Sequence, residues 1–562
     1  MDFRSQIAGA IAKQTELNEK EIADMLETPP DPAMGDYAFP CFKLARTMRK
    51  APPLIAQELS TSLELPEGVA SVQPAGGYLN FTLDRTAQVK SVLERIRTEG
   101  EKYGGSDEGQ GRNVCIDYSS VNICKPLHIG HLSSTVLGNS LYRIYNHLGY
   151  NSVGINHLGD WGTQFGKMIV AYKKWGDRET IEKGGVDELV KLYIRFHQEA
   201  ETDESLNDEA RAWFRKIEQK DEEATELFEW FKKITLAEVH EVYDLMGIRF
   251  DSYAGESFYN DKMDRVVNEL DAKGLLKLDD GAKIVDLSEY NMPPCIILRS
   301  DGATLYATRD IAAALYRKDT YDFAKCLYVV AYQQNLHFRQ WFKVVELMGY
   351  EWAKDLIHVN FGMVSGTEGA FSTRKGNMVK LRDVLQASID KTRAIMQEKT
   401  PDLENSGEVA KAVGVGALVW GTLYNQRIKD IVFDWDTVLN FDGETGPYVQ
   451  YTHARACSVL RKEQPEGEPD YSLLSDDESR ALVSALGAFP NAVHEAMEKN
   501  EPYLVSRAVM AICQTFNRFY YQQRIIADDP AVRNARLALT DATRSVLKTG
   551  MYLVGLEAPE RM

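Results

Sequence analysis

The spacing of apolar and polar residues divides the chain of 562 residues into regions of different character. Helical spacing at 7–11 and 54–63 precedes the strand-like run PAGGYLNFTL. A polar, glycine-rich stretch at 101–112 then interrupts the pattern and indicates a boundary. The pattern predicts a small N-terminal α/β domain over residues 1–108.

A second domain is predicted over 109–372, beginning with a buried strand at 114–118, a short loop and a helix from about Leu127. This order is typical of a doubly wound parallel sheet, whose ligands lie at the carboxyl ends of the strands. Charged amphipathic helices indicate a helical insertion around 167–290. Strand-like runs after it predict that the same sheet resumes at 295–298, 327–332 and 356–361.

The end of the chain has helical periodicity only, which predicts an all-helical bundle over 408–562, joined to the sheet through a junction at 373–407. The predicted fold class is therefore α/β. It combines a Rossmann-type doubly wound parallel sheet carrying a helical insertion with an added N-terminal α/β domain and a C-terminal helical bundle.

Composition limits the possible partners. The formal charge of −18 argues against a broadly basic nucleic-acid surface, so any RNA contact must be a local patch. Seven scattered cysteines without a CxxC pair argue against a disulfide framework and a structural zinc site, and they indicate a reducing, cytoplasmic compartment. Because no apolar run is long enough for a transmembrane helix, we expect no membrane partner.

The segment KPLHIGH carries the sharpest chemical signal. His128 and His131 lie three residues apart near the predicted start of a helix, where the helix dipole is positive. Gly130 lets a ligand approach the backbone, and Lys125 adds a cation. The cluster suits a phosphate such as that of ATP. Alternatives are a helix start without function or a metal pair, but no third ligand is evident and no metal site is predicted.

The motif HIGH matches that of class I aminoacyl-tRNA synthetases, and two longer strings, at 122–141 and 156–166, resemble the arginyl-tRNA synthetase family in particular. The resemblance implies that L-arginine is activated with ATP and Mg²⁺ and transferred to tRNA(Arg). It also implies a monomer that binds tRNA before it forms the adenylate.

The family's second signature is matched by FSTRKGN at 371–377. The resemblance implies that Ser372, Thr373 and Lys375 bind ATP, and that Arg374 and Lys375 assist catalysis. The usual leading lysine is replaced by Ala370, and Lys125 is implied to supply the missing charge. The alternative is a solvated basic loop.

A guanidinium group is best recognised by carboxylates. The resemblance places Asp117, where many members have Glu, and Asp310 in this role, with Tyr306 packing on the substrate. Asp310 in an ordinary ion pair with Arg309 is the alternative. The residues implied to hold the α-amino and carboxylate groups of arginine are Asn122, His128 and Gln334.

For tRNA, the resemblance implies contacts from Tyr78 and Asn80 in the N-terminal domain and from Gln450 and Arg455 in the bundle. Aromatic side chains beside arginines suit stacking on unpaired bases. A partly buried core position is the alternative for Tyr78. Three other functions stay open: a class I synthetase for another amino acid, a small nucleotidyltransferase, and a non-catalytic tRNA-binding paralogue.

Overall fold

A computed structural model describes residues 3–27, 29, 31, 34–300, 302, 304–366, 379–434 and 443–562. Contacts divide the chain into two compact units. The first contains Met1–Tyr103, Val459–Gly487 and Gln514–Val546, and the second contains Gly104–Ser458, Ala488–Cys513 and Leu547–Met562.

The N-terminal part of the first unit is an α/β fold, as predicted. Its elements are α1 (Phe3–Ala12), α2 (Glu19–Met25), β1 (Tyr37–Pro40), α3 (Leu44–Met48), α4 (Pro52–Ser62), β2 (Val69–Ala75), β3 (Tyr78–Leu83) and α5 (Arg85–Glu99). In the described residues the strands pair antiparallel in the order β1-β3-β2. The helices pack on this sheet around buried Ile7, Phe39 and Phe81.

The second unit begins with the elements of the sheet and its insertion: β4 (Asn113–Asp117), α6 (Gly130–His147), β5 (Asn151–Ile155), α7 (Thr163–Trp175), α8 (Arg178–Gly184), α9 (Val186–Ala200), α10 (Ser205–Glu218), α11 (Glu222–Met246), α12 (Met263–Ala272), β6 (Leu276–Asp279), β7 (Ala282–Val285) and β8 (Cys295–Leu298). It continues with α13 (Tyr306–Tyr321), β9 (Lys325–Tyr328), α14 (Asn335–Leu347), β10 (Leu356–His358), β11 (Val364–Gly366), α15 (Leu381–Lys399), α16 (Ser406–Leu423) and β12 (Ile431–Phe433).

Four further helices follow in the chain: α17 (Gly446–Leu460), α18 (Asp477–Lys499), α19 (Tyr503–Gln522) and α20 (Pro530–Leu553). No helix among the described residues is long and apolar enough to cross a bilayer.

The main sheet is parallel, as predicted, with the described strands in the order β10-β9-β4-β5. In the register, Cys115 of β4 lies opposite Cys326 of β9 and Val153 of β5. Because all three strands run the same way, the residues that follow Asp117, Ile155 and Tyr328 meet at one edge. That edge carries the candidate site.

Three predictions about strands were wrong. The insertion predicted to be helical around 167–290 ends with the antiparallel strands β6 and β7. The run Cys295–Leu298 forms a strand, but it pairs antiparallel with β7 in a separate sheet of order β6-β7-β8. The predicted all-helical region contains the strand Ile431–Phe433, which pairs with Val364–Gly366. Short apolar runs reveal strand character but carry no information about the partner strand.

Candidate active site

The two histidines of the HIGH motif are held by the backbone at the start of α6. The amide of Gly130 donates to Nδ1 of His128 at 3.1 Å, and the amide of His128 donates to Nδ1 of His131 at 3.2 Å. The ring centroids lie 4.0 Å apart. A Cβ at Gly130 would lie 2.8 Å from Cε1 of His128, so only glycine allows this folded-back ring.

Both histidines are neutral at pH 7. Burial, followed by the charge of Lys125, lowers the pKa of His128 to about 4. Burial, followed by the neighbouring His128, lowers the pKa of His131 to about 3. Because each Nδ1 accepts a hydrogen bond, each proton resides on Nε2. The start of α6 therefore has two neutral N–H donors, which can bind a phosphate oxygen.

The loop from β4 to α6 contains Asn122, whose exposed side chain lies against the segment 156–166. The amide of Gly159 donates to the carbonyl of Val121 at 2.8 Å, and the amide of Ile123 donates to the carbonyl of Gly159 at 3.2 Å. A Cβ at Gly159 would lie 2.3 Å from Oδ1 of Asn122. Glycine at this place therefore makes room for the Asn122 side chain.

The first turn of α13 presents the predicted tyrosine and carboxylate. Tyr306 is 66% exposed, and Asp310 lies one turn later on the same helical face. Oδ2 of Asp310 lies 2.5 Å from Nε2 of His337, a residue that sequence analysis did not single out. The partner of Arg309 is not Asp310, since Nη1 of Arg309 lies 3.7 Å from Oε2 of Glu256. The alternative of an ion pair between Asp310 and Arg309 is thus wrong.

Glu256 is a second carboxyl group near Asp310 that the sequence did not reveal. Burial raises its pKa to about 7, with Arg309 opposing that shift and Asp310 and Asp160 adding to it. The fully buried Asp160 fixes Ser257, the residue that follows Glu256. Its carboxylate accepts from the amide and the hydroxyl of Ser257 at 2.9 and 2.8 Å. Lys232 contacts the same carboxylate at 2.7 Å.

Asp117 lies at the end of β4, as predicted, but its carboxylate is already engaged. Oδ2 accepts from Nη2 of Arg317 at 2.7 Å, and Oδ1 accepts from the hydroxyl of Ser120 at 2.8 Å. Asp117 and Arg317 are both buried. A bidentate contact between Asp117 and a substrate guanidinium would require one of these partners to be exchanged, so that role stays a prediction.

The second signature lies outside the described residues, and with it the predicted roles of Ser372, Thr373, Arg374 and Lys375. The residues that follow the second signature form backbone hydrogen bonds with the residues at and just before the HIGH motif. The amide of Ile129 donates to the carbonyl of Val379, and the amide of Leu381 donates to the carbonyl of Leu127, both at 2.9 Å. Lys380 also pairs with Asp187 at the start of α9. Gln334 is exposed in the turn Tyr332–Gln334 after β9.

Three family models match successive parts of the chain. Residues 91–435 match the class I (R) tRNA synthetase catalytic domain, residues 1–83 the arginyl-tRNA synthetase N-terminal domain, and residues 449–562 the DALR anticodon-binding domain. The chain belongs to the arginyl-tRNA synthetase family. This confirms the resemblance drawn from HIGH and the two longer strings.

Individual arginyl-tRNA synthetases are similar to this chain over its whole length. The arginine–tRNA ligases of Clostridioides difficile and Alkaliphilus metalliredigens are 53% and 51% identical, and each match covers 100% of both proteins. The solved Thermus thermophilus arginyl-tRNA synthetase superposes with a TM-score of 0.84 at 28% identity, again with 100% of both chains covered. The predicted fold class is thereby confirmed.

The predicted tRNA residues of the N-terminal arginyl-tRNA synthetase domain share strand β3. Tyr78 is partly buried, and its ring lies edge-on to that of Phe42, which is 51% exposed, with 5.3 Å between centroids. Asn80 is only 7% exposed and lies opposite Ala38 in the sheet. An RNA base can reach the exposed Phe42–Tyr78 edge more readily than Asn80, and both contacts stay predictions.

On α17 the structure corrects one prediction and leaves another open. Gln450 is fully buried, and its Nε2 donates to the carbonyls of Ala412 and Glu557 at 3.0 and 2.9 Å, so this side chain is not available to tRNA. The guanidinium of Arg455 lies 4.9 Å from the ring centroid of Tyr451, which is 49% exposed. The pair provides the aromatic and cationic groups that a base would stack on.

Proposed function

We propose that the chain activates L-arginine with ATP and transfers it to the 3′-terminal ribose of tRNA(Arg), releasing AMP and pyrophosphate. The observation that carries the proposal is the pair of neutral Nε2–H donors of His128 and His131 at the start of α6, in the same unit as the carboxyl groups of Asp310 and Glu256. One set of groups suits a phosphate and the other a guanidinium.

In the first step, the arginine carboxylate attacks the α-phosphorus of ATP in line and pyrophosphate leaves. Nε2–H of His128 and of His131 donate to the oxygens on which charge accumulates, and Gly130 leaves room for ATP to approach the backbone. Mg²⁺ arrives as part of the MgATP substrate. Lys125 completes the proposed ATP site, together with four residues of the second signature: Ser372, Thr373, Arg374 and Lys375. The 2′-hydroxyl of tRNA then accepts the arginyl group and AMP leaves.

For arginine, we propose that Asp310 and Glu256 bind the guanidinium and that Tyr306 packs on its plane or stem. Asn122 and Gln334 hold the α-amino and carboxylate groups. Asp117 adds negative charge at the end of β4, with its oxygens held by Arg317 and Ser120. A site of paired charges discriminates strongly against uncharged analogues, so no editing centre is required.

The proposed tRNA contacts are Tyr78 and Asn80 on β3 and Arg455 beside Tyr451 on α17. We further propose a monomer, as the resemblance to arginyl enzymes implies, in the reducing, cytoplasmic compartment that the cysteine pattern indicates. The proposed domain boundaries are those at 108, 372 and 407.

The direct test is ATP consumption and charging of unfractionated tRNA by the purified protein with each of the twenty amino acids. We expect charging with arginine alone, and pyrophosphate exchange only when tRNA(Arg) is present. Charging with another amino acid would overturn the carboxylate assignments. Binding of tRNA without any charging would favour a non-catalytic paralogue.

We expect Asp310→Ala to raise the KM for arginine by about 10- to 100-fold, the scale of a lost charge-assisted hydrogen bond, without changing the KM for ATP. The control is Asp319→Ala on the same helix, where the exposed carboxylate pairs with Arg265. Equal effects of the two variants on the arginine KM would remove Asp310 from the binding site.

The raised pKa of Glu256 predicts a pH dependence. Between pH 6 and 8 its carboxyl group loses a proton, so its attraction for a guanidinium grows and the KM for arginine falls by up to about 10-fold. Glu256→Gln should show a KM that is higher and nearly independent of pH in this range. Glu218→Gln on α10, which replaces another carboxyl group of raised pKa, is the control and should keep the wild-type profile.

We expect His131→Ala to slow adenylate formation by about 10²- to 10³-fold, because one donor to the developing charge is lost, while tRNA affinity is unchanged. His147→Ala at the other end of α6 is the control. Rapid-quench measurement of adenylate formation reads the step directly. An unchanged rate in His131→Ala would refute the donor role.

A further inference from the structure

The loop between β4 and α6 has a strained backbone. Ser119, Ser120 and Cys124 have φ values of +67°, +47° and +63°, in the left-handed region that side chains other than glycine rarely adopt. Such a conformation persists only when the surroundings hold it. Asn122 and Lys125, both assigned to the active site, belong to this loop or directly follow it, so whatever holds the loop also sets their positions.

A buried chain of hydrogen bonds holds the start of the loop. Nδ2 of Asn156 donates to the hydroxyl of Tyr243 at 2.8 Å, and that hydroxyl lies 2.7 Å from Oγ of Ser119. Oγ of Ser119 lies 2.8 Å from Oγ1 of Thr135, which donates to the carbonyl of His131 at 2.7 Å. Each hydroxyl has one proton to donate, so the hydrogen bonds run in one direction. Asn156 donates to Tyr243, Tyr243 to Ser119, and Ser119 to Thr135.

A second anchor holds the end of the loop. The amide of Cys124 donates to Oγ1 of Thr235 at 3.0 Å, and that hydroxyl donates to the carbonyl of Phe231 at 2.9 Å. Between the two anchors, the amide of Val121 donates to Oδ1 of Asn156 at 3.3 Å. Tyr243 and Thr235 both lie on α11, two turns apart, and both are buried.

We propose that Tyr243 and Thr235 are positioning residues for the aminoacylation reaction. Through them, helix α11 of the insertion fixes both ends of the strained loop and thereby places Asn122 against arginine and Lys125 against ATP. The inference rests on the proposed function for the identity of the substrates, but not for the mechanical role of the two hydroxyls.

The hydroxyls of Tyr243 and Thr235 each bond to buried polar groups that hold the loop. Removing that of Tyr243 leaves a buried amide hydrogen of Asn156 without its acceptor and Ser119 without its donor. Removing that of Thr235 leaves the buried amide of Cys124 without its acceptor. An unsatisfied buried polar group is costly, so the loop should relax toward ordinary backbone angles and carry its side chains with it.

The test uses the full-length protein and substitutions that remove hydroxyls without removing bulk. Tyr243→Phe and Thr235→Val lack the hydroxyl, whereas Thr235→Ser retains it. The control is Tyr253→Phe, because Tyr253 packs on the same Phe250 ring as Tyr243, with centroids 5.7 and 5.0 Å away. Pyrophosphate exchange in the presence of tRNA(Arg) gives kcat and the KM for arginine, and hydrogen exchange of the peptide covering 117–126 reports loop order without reference to activity.

We expect Tyr243→Phe and Thr235→Val to lower kcat/KM for arginine by about 10- to 100-fold and to leave tRNA affinity unchanged. Amides of the 117–126 peptide should exchange about 10-fold faster in both variants. Thr235→Ser and Tyr253→Phe should stay within about 3-fold of wild type.

Wild-type exchange and kinetics in both hydroxyl-free variants would overturn the inference, as would equal losses in Thr235→Val and Thr235→Ser, since packing would then explain the effect. If the wild-type protein fails to charge arginine while loop exchange still rises in Tyr243→Phe, the proposed function fails and the positioning role stands.

Discussion

The hydrogen bonds that β4 makes with β9 on one side and β5 on the other decide where the polar groups of the site lie. They fix three parallel strands in register, so the chain segments that follow Asp117, Ile155 and Tyr328 emerge side by side. The first segment leads to the HIGH helix, the second to the string that supports Asn122, and the third toward α14. Residues far apart in sequence become neighbours because one backbone ladder is continuous.

The site has carboxyl groups in one place and neutral hydrogen-bond donors in another. The carboxyl groups of Asp310 and Glu256 lie around α13, where burial raises the pKa of Glu256 and the charge of Asp310 adds to that rise. At the start of α6 the donors are neutral imidazoles rather than cations. Neutral donors can bind a phosphate and carry no charge of their own when the site is empty. In a chain with a net charge of −18, hydrogen-bond direction and the helix dipole thus add to the local charge of Lys125 at the start of α6.

The sequence was sufficient for features that are local. The segment 127–131 concentrates its chemistry in a few residues, and β4 has the apolar run Val114–Ile116 at its centre. Features that depend on distant partners were missed or misassigned. Glu256 stands in no motif, and only its proximity to Asp310 marks it. The strand Cys295–Leu298 was assigned to the wrong sheet because a short apolar run does not identify its partner. The resemblance implied that Gln450 contacts tRNA, whereas its side-chain amide donates to two backbone carbonyls in the interior.

The backbone pairing of His128 with Lys380 has a consequence for how such enzymes diverge. On one side of the second signature, Val364–Gly366 is fixed by its pairing with Ile431–Phe433; on the other, Val379 is fixed by the amide of Ile129. Both of these flanking segments are held by backbone hydrogen bonds, which do not depend on the identity of a side chain. Substitutions in the flanking residues Val364–Gly366, Val379 and Lys380 can therefore change a side chain and keep the same backbone pairing, in evolution as in engineering.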